Sequence, residues 1–115
     1  MDNVKWFVKE MPQLFALDFH MSRGWGNGYV AIPKGHPWYG VSYWDLFQDI
    51  DIHGGLTFSQ TAPNWAEEHG FDPEDWVIGF DTAHFGDTIQ KWDEQSVTEE
   101  TKRLYDMVIS VNIER

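Results

Sequence analysis

The stretch WVIGFDTAHFGD, residues 76–87, is an apolar run that ends in a polar turn containing glycine. A short apolar run followed by turn residues is typical of a strand in the middle of a sheet. We therefore predict a central strand over residues 76–80. The turn behind it places polar side chains at the strand end, where loops commonly carry binding and catalytic groups.

The C-terminal segment has the clearest helical pattern. Ser96 and Glu99 have the spacing of a capping box, in which the two side chains satisfy free backbone amides at a helix start. The apolar residues that follow recur at helical spacing and form one face: Leu104, Met107, Val108 and Val111. We predict an amphipathic helix that packs on the sheet.

Shorter elements fill the rest of the chain. Residues 14–21 and 29–32 read as the strands of a β-hairpin, because the segment between them is rich in glycine. Residues 50–53 alternate like a half-buried strand, which breaks at two glycines and resumes over residues 56–59. Further short elements are expected at residues 4–8 (strand), 42–48 (helical turn) and 63–70 (helix). The predicted fold class is α+β: a small mixed or antiparallel sheet, the C-terminal helix packed on it, and one or two short helices.

Composition limits the classes of function. The 115 residues suit a single domain over 1–115, and the formal net charge of −11 should repel nucleic-acid polymers and anionic membranes. This charge fits a solvated acidic surface, a basic protein partner or a bound cation. The chain has no cysteine, which excludes disulfides and thiol chemistry. It also has no long apolar run and no secretory signal pattern, so we expect a cytoplasmic protein.

The turn after the predicted central strand carries the first candidate site. Asp81, His84 and Asp87 recur every third residue, and Gly86 lets the backbone bend closely around a ligand. Two carboxylates and an imidazole can ligate a divalent cation or serve as a base and its orienting partner. The alternative is structural: the carboxylates cap backbone amides and the imidazole bonds a carbonyl.

A second candidate site surrounds His53. On the predicted strand the side chains of Asp51 and His53 point to the same face, and Thr57 shares their parity if the strand continues. Gly54 and Gly55 remove side chains where a ligand or a second strand approaches closely. The alternative is a bulge or hairpin with a hydrogen-bonded histidine.

The loop over residues 33–40 is the third candidate. Lys34 is one of few cations and could meet an anionic ligand group, while Trp38 and Tyr39 could stack on a planar ring beside His36. The alternative is a rigid surface loop whose aromatic side chains cover the core.

Three segments together resemble a family of small bacteriophage and prophage proteins: GYVAIPKGHPWYG (28–40), IHGGLTF (52–58) and WVIGFDTAHFGD (76–87). Many members of that family carry a cysteine where this chain has Thr82, which argues against a required thiol at this position. The resemblance implies a phage-related origin, in the cytoplasm of a bacterial host, and a pocket shared by the three segments.

The leading hypothesis is a phage accessory protein that binds a small polar, nucleotide-derived ligand to counter host defence. One alternative is a metal-assisted hydrolase, in which His53, Asp81, His84 and Asp87 hold a divalent cation and activate water. Another is an acidic protein that inhibits a basic host protein. The ligand, the host target, self-association and any catalytic activity are left open. The predicted ligand-binding residues are Lys34, His36, Trp38, Tyr39, His53, Gly54, Gly55, Thr57, Asp81, His84 and Asp87.

Overall fold

The computed structural model describes residues 4–10, 24–46, 48–84 and 86–113. These residues form a four-stranded sheet, two short helices and one long helix. The elements are β1 (Lys5–Glu10), β2 (Gly26–Ile32), α1 (Tyr43–Leu46), β3 (Phe58–Thr61), α2 (Asn64–Glu67), β4 (Trp76–Phe80) and α3 (Glu94–Ile113). The predicted α+β class is confirmed. None of the helices in these ranges combines the length and the apolar character needed to cross a bilayer.

The sheet has the order β1-β2-β4-β3, and all three neighbouring pairs are antiparallel. Strands β2 and β4 are central, with Val30 opposite Ile78. The predicted central strand over residues 76–80 is confirmed with the same bounds. It forms because an apolar run buried on both faces must satisfy its backbone groups with two neighbouring strands.

Helix α3 covers one face of the sheet, as its apolar pattern predicted. The core on this face joins side chains from the two central strands to Val97, Leu104 and Val108 of α3. These three helix positions are fully buried. Met107, one of the predicted face residues, is only partly buried. A helix packs closely on a strand only where the facing side chains are small. The close contact of α3 with β2 therefore depends on a gap in the side chains of that strand, at a residue that has none.

That gap is Gly28. A side-chain carbon placed on Gly28 would overlap Thr101 of α3 and the ring of Phe80. Thr101 is fully buried, and its hydroxyl donates to the Val97 carbonyl at 2.7 Å. The missing side chain therefore sets how closely α3 approaches the middle of the sheet.

The opposite face of the sheet is covered by aromatic rings. Phe7 and Tyr29 stack with ring centroids 5.2 Å apart, and Phe71 packs edge-on against Phe7 at 4.9 Å. Ala66 of α2 is fully buried in the same cluster. The short helix expected over residues 63–70 thus exists, as α2, and closes the second layer.

Two sequence predictions are corrected here. Residues 50–53 do not form a strand. The Asp51 carbonyl accepts a hydrogen bond from the Arg103 side chain, and the His53 amide donates to the Glu100 carboxylate, so neither group is free to pair with a neighbouring strand. Helix α3 begins at Glu94 and not after Ser96. Residues 14–21, predicted as a strand of a hairpin, lie outside the described residues.

The helix start is moved by Asp93. Its carboxylate accepts the Ser96 amide at 2.8 Å, which satisfies one of the free donors at the helix N-terminus. Hydrogen bonds from Ser96 hold the pKa of Asp93 below its usual range. Ser96 is therefore the third residue of the helix and not its cap.

We predict that Gly28→Ala lowers the free energy of unfolding by roughly 1–3 kcal/mol, the usual cost of an extra carbon in a packed core. Alanine's smaller backbone entropy loss on folding would alone raise that free energy by about 0.5–1 kcal/mol, so the two effects oppose each other. Urea denaturation of Gly28→Ala measures the net effect, and the exposed edge-strand change Gln60→Ala is the control. A Gly28→Ala variant as stable as wild type, or more stable, would show that α3 does not need this gap.

Candidate functional site

His53 and Asp87 form the centre of the candidate site. His53 Nε2 donates to both carboxylate oxygens of Asp87, at 2.9 and 3.0 Å. The same carboxylate accepts the backbone amide of His84 at 3.0 Å. The ring of Trp92 lies against the imidazole, with centroids 4.0 Å apart. Asp87 is buried at 4% exposure, so these contacts join the 51–55 loop to the 81–87 turn.

Helix α3 holds the other side of His53. The His53 backbone amide donates to Glu100 Oε2 at 2.8 Å. Arg103 donates to both oxygens of Glu100 at 3.0 Å and also to the Asp51 carbonyl at 2.6 Å. The backbone of residues 51–53 is therefore fixed by side chains of the long helix, without strand pairing.

The Glu100 carboxylate is ionised by this arrangement. Burial raises the pKa of Glu100, but hydrogen bonds from Arg103 and from the His53 amide outweigh burial, and the resulting pKa lies below the usual range. An ionised glutamate in this position stabilises the folded state. It does so fully above the unfolded pKa of about 4.3 and loses the effect as the pH falls through the lower folded pKa.

His84 lies directly over Gly54. A side-chain carbon on Gly54 would overlap the His84 ring, and Gly54 has φ of +68°, so both space and backbone require glycine. His84 Nε2 is 3.0 Å from Asp81 Oδ1 but lacks hydrogen-bond geometry to it. Asp81 Oδ1 instead accepts the Ala83 amide at 3.0 Å. The sequence His53-Gly54-Gly55 thus marks a place where the imidazole of His84 comes close to the backbone.

The four residues of the metal hypothesis are adjacent but do not point at a common position. His53 and His84 meet edge to face at 5.6 Å, and the His53 Nε2 nitrogen is directed at Asp87. Within the described ranges, no group of three or more histidine and carboxylate side chains is arranged to hold a metal ion. The metal-assisted hydrolase therefore gains no support from this geometry.

The His36 loop is held at a different place on the helix. His36 Nδ1 accepts the Trp38 amide and Nε2 donates to the Val108 carbonyl, both at 2.9 Å, with the ring 4% exposed. Val108 and Glu100 are eight residues apart, which is about 12 Å along a helix. The structure therefore does not bring His36 and His53 together in one pocket.

The neighbours of His36 are also used in packing or pairing. Lys34 pairs with the Glu74 carboxylate, and the Tyr39 hydroxyl donates to the Glu74 carbonyl at 2.7 Å. Trp38 is partly buried against the core. These contacts match the alternative of a rigid loop that covers the core.

Thr57 and Thr82 both donate to backbone carbonyls of the central strands. Thr57, a predicted ligand-binding residue, has an exposed side chain, and its amide donates to the Gly79 carbonyl at 2.9 Å. Thr82 is fully buried and its hydroxyl donates to the Gly26 carbonyl at 2.7 Å.

An open depression of about 450 Å³ lies beside His53. Part of its lining belongs to the second candidate segment, while Gln48, Asp49 and Ile50 were not predicted. Exposed carboxylates and the backbone of two glycines border it, and two buried isoleucines lie beneath. Of the predicted residues, only Gly54 and Gly55 line it. The lining residues are Gln48, Asp49, Ile50, Asp51, Ile52, Gly54 and Gly55.

The distribution of charged residues in the sequence indicates the region of this depression. Residues 35–90 contain no Lys or Arg but seven Asp and three Glu, ten carboxylates in all. Only Lys and Arg residues from other parts of the chain can neutralise these carboxylates, as Lys34 does for Glu74. A concave part of such a segment favours cationic or uncharged groups over anions.

Comparison with known proteins identifies no relative of this chain. No protein-family model matches the chain, and neither a curated protein nor a solved structure shows significant similarity to it.

We predict that Glu100→Gln lowers stability at pH 7, because the neutral amide loses the charge-assisted bonds from Arg103 and His53. The difference from wild type should shrink as the pH falls from the unfolded pKa of about 4.3 through the lower folded pKa of Glu100. Urea denaturation at several pH values between 3 and 7 measures it, with the exposed neighbour Glu99→Gln as a matched control. A stability difference that is equally large at pH 7 and pH 3 would contradict a role for the ionised carboxylate.

Proposed function

We propose that this chain is a binding protein that holds a small polar ligand, uncharged or cationic, in the depression beside His53. The observation that supports the proposal best is the depression itself, whose lining residues Ile52 and Gly54 are the chain neighbours of His53. Its volume of about 450 Å³ lies within the range of small-molecule sites, roughly 300–1,000 Å³.

The lining offers both kinds of contact that such a ligand needs. Ile50 and Ile52, each 5% exposed, give an apolar base. Asp49 and Asp51 are exposed at the border and can accept hydrogen bonds from an amine, an amide or a ring N–H.

Charge narrows the ligand class. A phosphorylated ligand would face the carboxylates of Asp49 and Asp51. Arg103, which reaches the Asp51 carbonyl, is already paired with the Glu100 carboxylate, and Lys34 is paired with Glu74. Coulomb repulsion at contact distance therefore favours a nucleoside, a free base or an amine over a nucleotide. The nucleotide-derived ligand of the leading hypothesis is accordingly proposed as an unphosphorylated one.

The site is also preorganised. The 51–53 backbone is fixed by Arg103 and Glu100, and His53 is fixed by Asp87. Binding to a loop that is already ordered avoids the free-energy cost of ordering it. His53 and Asp87 support the site in this proposal and are not required to touch the ligand.

We place this activity in a bacteriophage setting, on the sequence resemblance alone. There the protein would act in the host cytoplasm as an accessory protein that sequesters its ligand from a host defence. The binding proposal does not depend on a phage origin, because it rests on the depression.

We predict that calorimetry with a defined panel detects binding of nucleosides or small amines but not of nucleotides. The panel comprises the four ribonucleosides, their 5′-monophosphates, putrescine and agmatine. For whichever unphosphorylated compound binds, Asp51→Asn should weaken binding about tenfold, or 1.4 kcal/mol, through the lost carboxylate. Asp106→Asn, an equal charge change at an exposed position of α3, is the control and should change it little.

Two results would reject the proposal. One is that no panel compound binds with Kd below about 1 mM, which is a binding free energy near 4.1 kcal/mol. The other is that a monophosphate binds more tightly than its nucleoside, which would place the ligand at a cationic site elsewhere.

A further inference from the structure

Helix α1 presents the largest exposed aromatic surface of the described residues. Trp44 is 76% exposed and Tyr43 is 39% exposed. Tryptophan is highly buried on average, because it carries a large apolar area. Neither side chain is needed to cover the core, since Leu46 of the same turn fills it at 2% exposure. We call Tyr43 and Trp44 the aromatic pair.

The backbone under the aromatic pair is firmly held. The Tyr43 amide donates to the Ser59 hydroxyl and the Trp44 amide to the Ser42 hydroxyl, both at 3.0 Å. The Leu46 amide donates to the Ser42 carbonyl at 3.1 Å. Trp44 is therefore displayed on an ordered turn and not on a loose loop, which lowers the entropy cost of using it in an interface.

Carboxylates follow the aromatic pair in the chain. Asp45 lies within α1, and the amide of Asp49 donates to the Leu46 carbonyl at 3.0 Å. All of this lies in the 35–90 segment that has no Lys or Arg. An exposed tryptophan on an anionic surface complements an arginine or lysine, because the cation can meet both a carboxylate and the ring face.

We propose that the aromatic pair and Asp45 form a docking surface for a basic protein that presents arginine beside an apolar side chain. Trp and Tyr are the residue types that most often dominate interface energies, and the surrounding acids would steer a cationic partner. The net charge of −11 disfavours a second copy of this chain as the occupant, because like charges would face each other. Nucleic acid is disfavoured by the same charge. The docking surface uses residues other than those lining the depression.

The test uses two synthetic peptides of equal length and charge, one alternating arginine with leucine and one alternating arginine with glycine. Fluorescence anisotropy of the labelled peptides with the full chain gives both affinities. We expect the arginine–leucine peptide to bind several-fold more tightly and to weaken as salt is raised. Trp44→Ala should weaken its binding about tenfold or more, and Trp44→Phe should retain part of it.

The controls are Ile89→Ala, which removes an exposed apolar side chain elsewhere, and Asp106→Asn, which removes one exposed charge from α3. Both should bind the peptide within twofold of wild type. The proposal is overturned if the arginine–leucine peptide fails to bind, or if Trp44→Ala binds it as well as the controls do. It is also overturned if sedimentation shows a wild-type dimer that Trp44→Ala dissociates, because a second copy would then occupy the surface.

Discussion

The close packing of α3 on β2 is the constraint on which the other positions depend. Because Gly28 has no side chain, Thr101 can sit over the strand, and Val97 and Leu104 reach the core on either side of it. The same helix then supplies the groups that fix two loops. The Glu100 carboxylate accepts a hydrogen bond from the His53 amide, and the Val108 carbonyl accepts one from the His36 imidazole. One helix thus serves as both core and scaffold for the segments that carry histidine.

This arrangement changes the meaning of the polar residues that attract attention in the sequence. His36 has both ring nitrogens engaged, and Asp87 is buried with donors on both oxygens. Such groups stabilise loops, because a buried polar atom without a partner costs more than the hydrogen bond gains. Among the described residues, those between 43 and 55 include exposed carboxylates and exposed aromatic rings that are open to a ligand or partner.

Secondary-structure elements were predicted correctly where the local sequence pattern agrees with the tertiary packing. The run at 76–80 and the periodic apolar face of α3 both encode burial directly, so β4 and the helix were predicted from residues alone. The alternation at Ile50 and Ile52 was equally real, since both side chains are buried. Its interpretation as a strand was wrong because the backbone partners are side chains of Glu100 and Arg103, about fifty residues away in the chain.

The candidate site was predictable only in part, for a related reason. The resemblance implied one pocket shared by three segments, and the structure brings Gly54 of one segment against His84 of another. Whether His36 would join them depended on which turn of α3 each loop contacts, and no local pattern encodes that. The depression was missed because its signal is an absence of Lys and Arg over a long segment, and short motifs do not reveal it.

The central claim is that the free binding surface lies at residues 43–55, while the His36 loop is structural. The most direct measurement is an NMR titration that follows every backbone amide and tryptophan indole as putrescine, and separately the arginine–leucine peptide, is added. Shift changes concentrated at residues 43–55, with His36, Trp38 and Tyr39 unmoved, are the predicted result. The largest changes at residues 34–39, with residues 43–55 silent, would contradict the account.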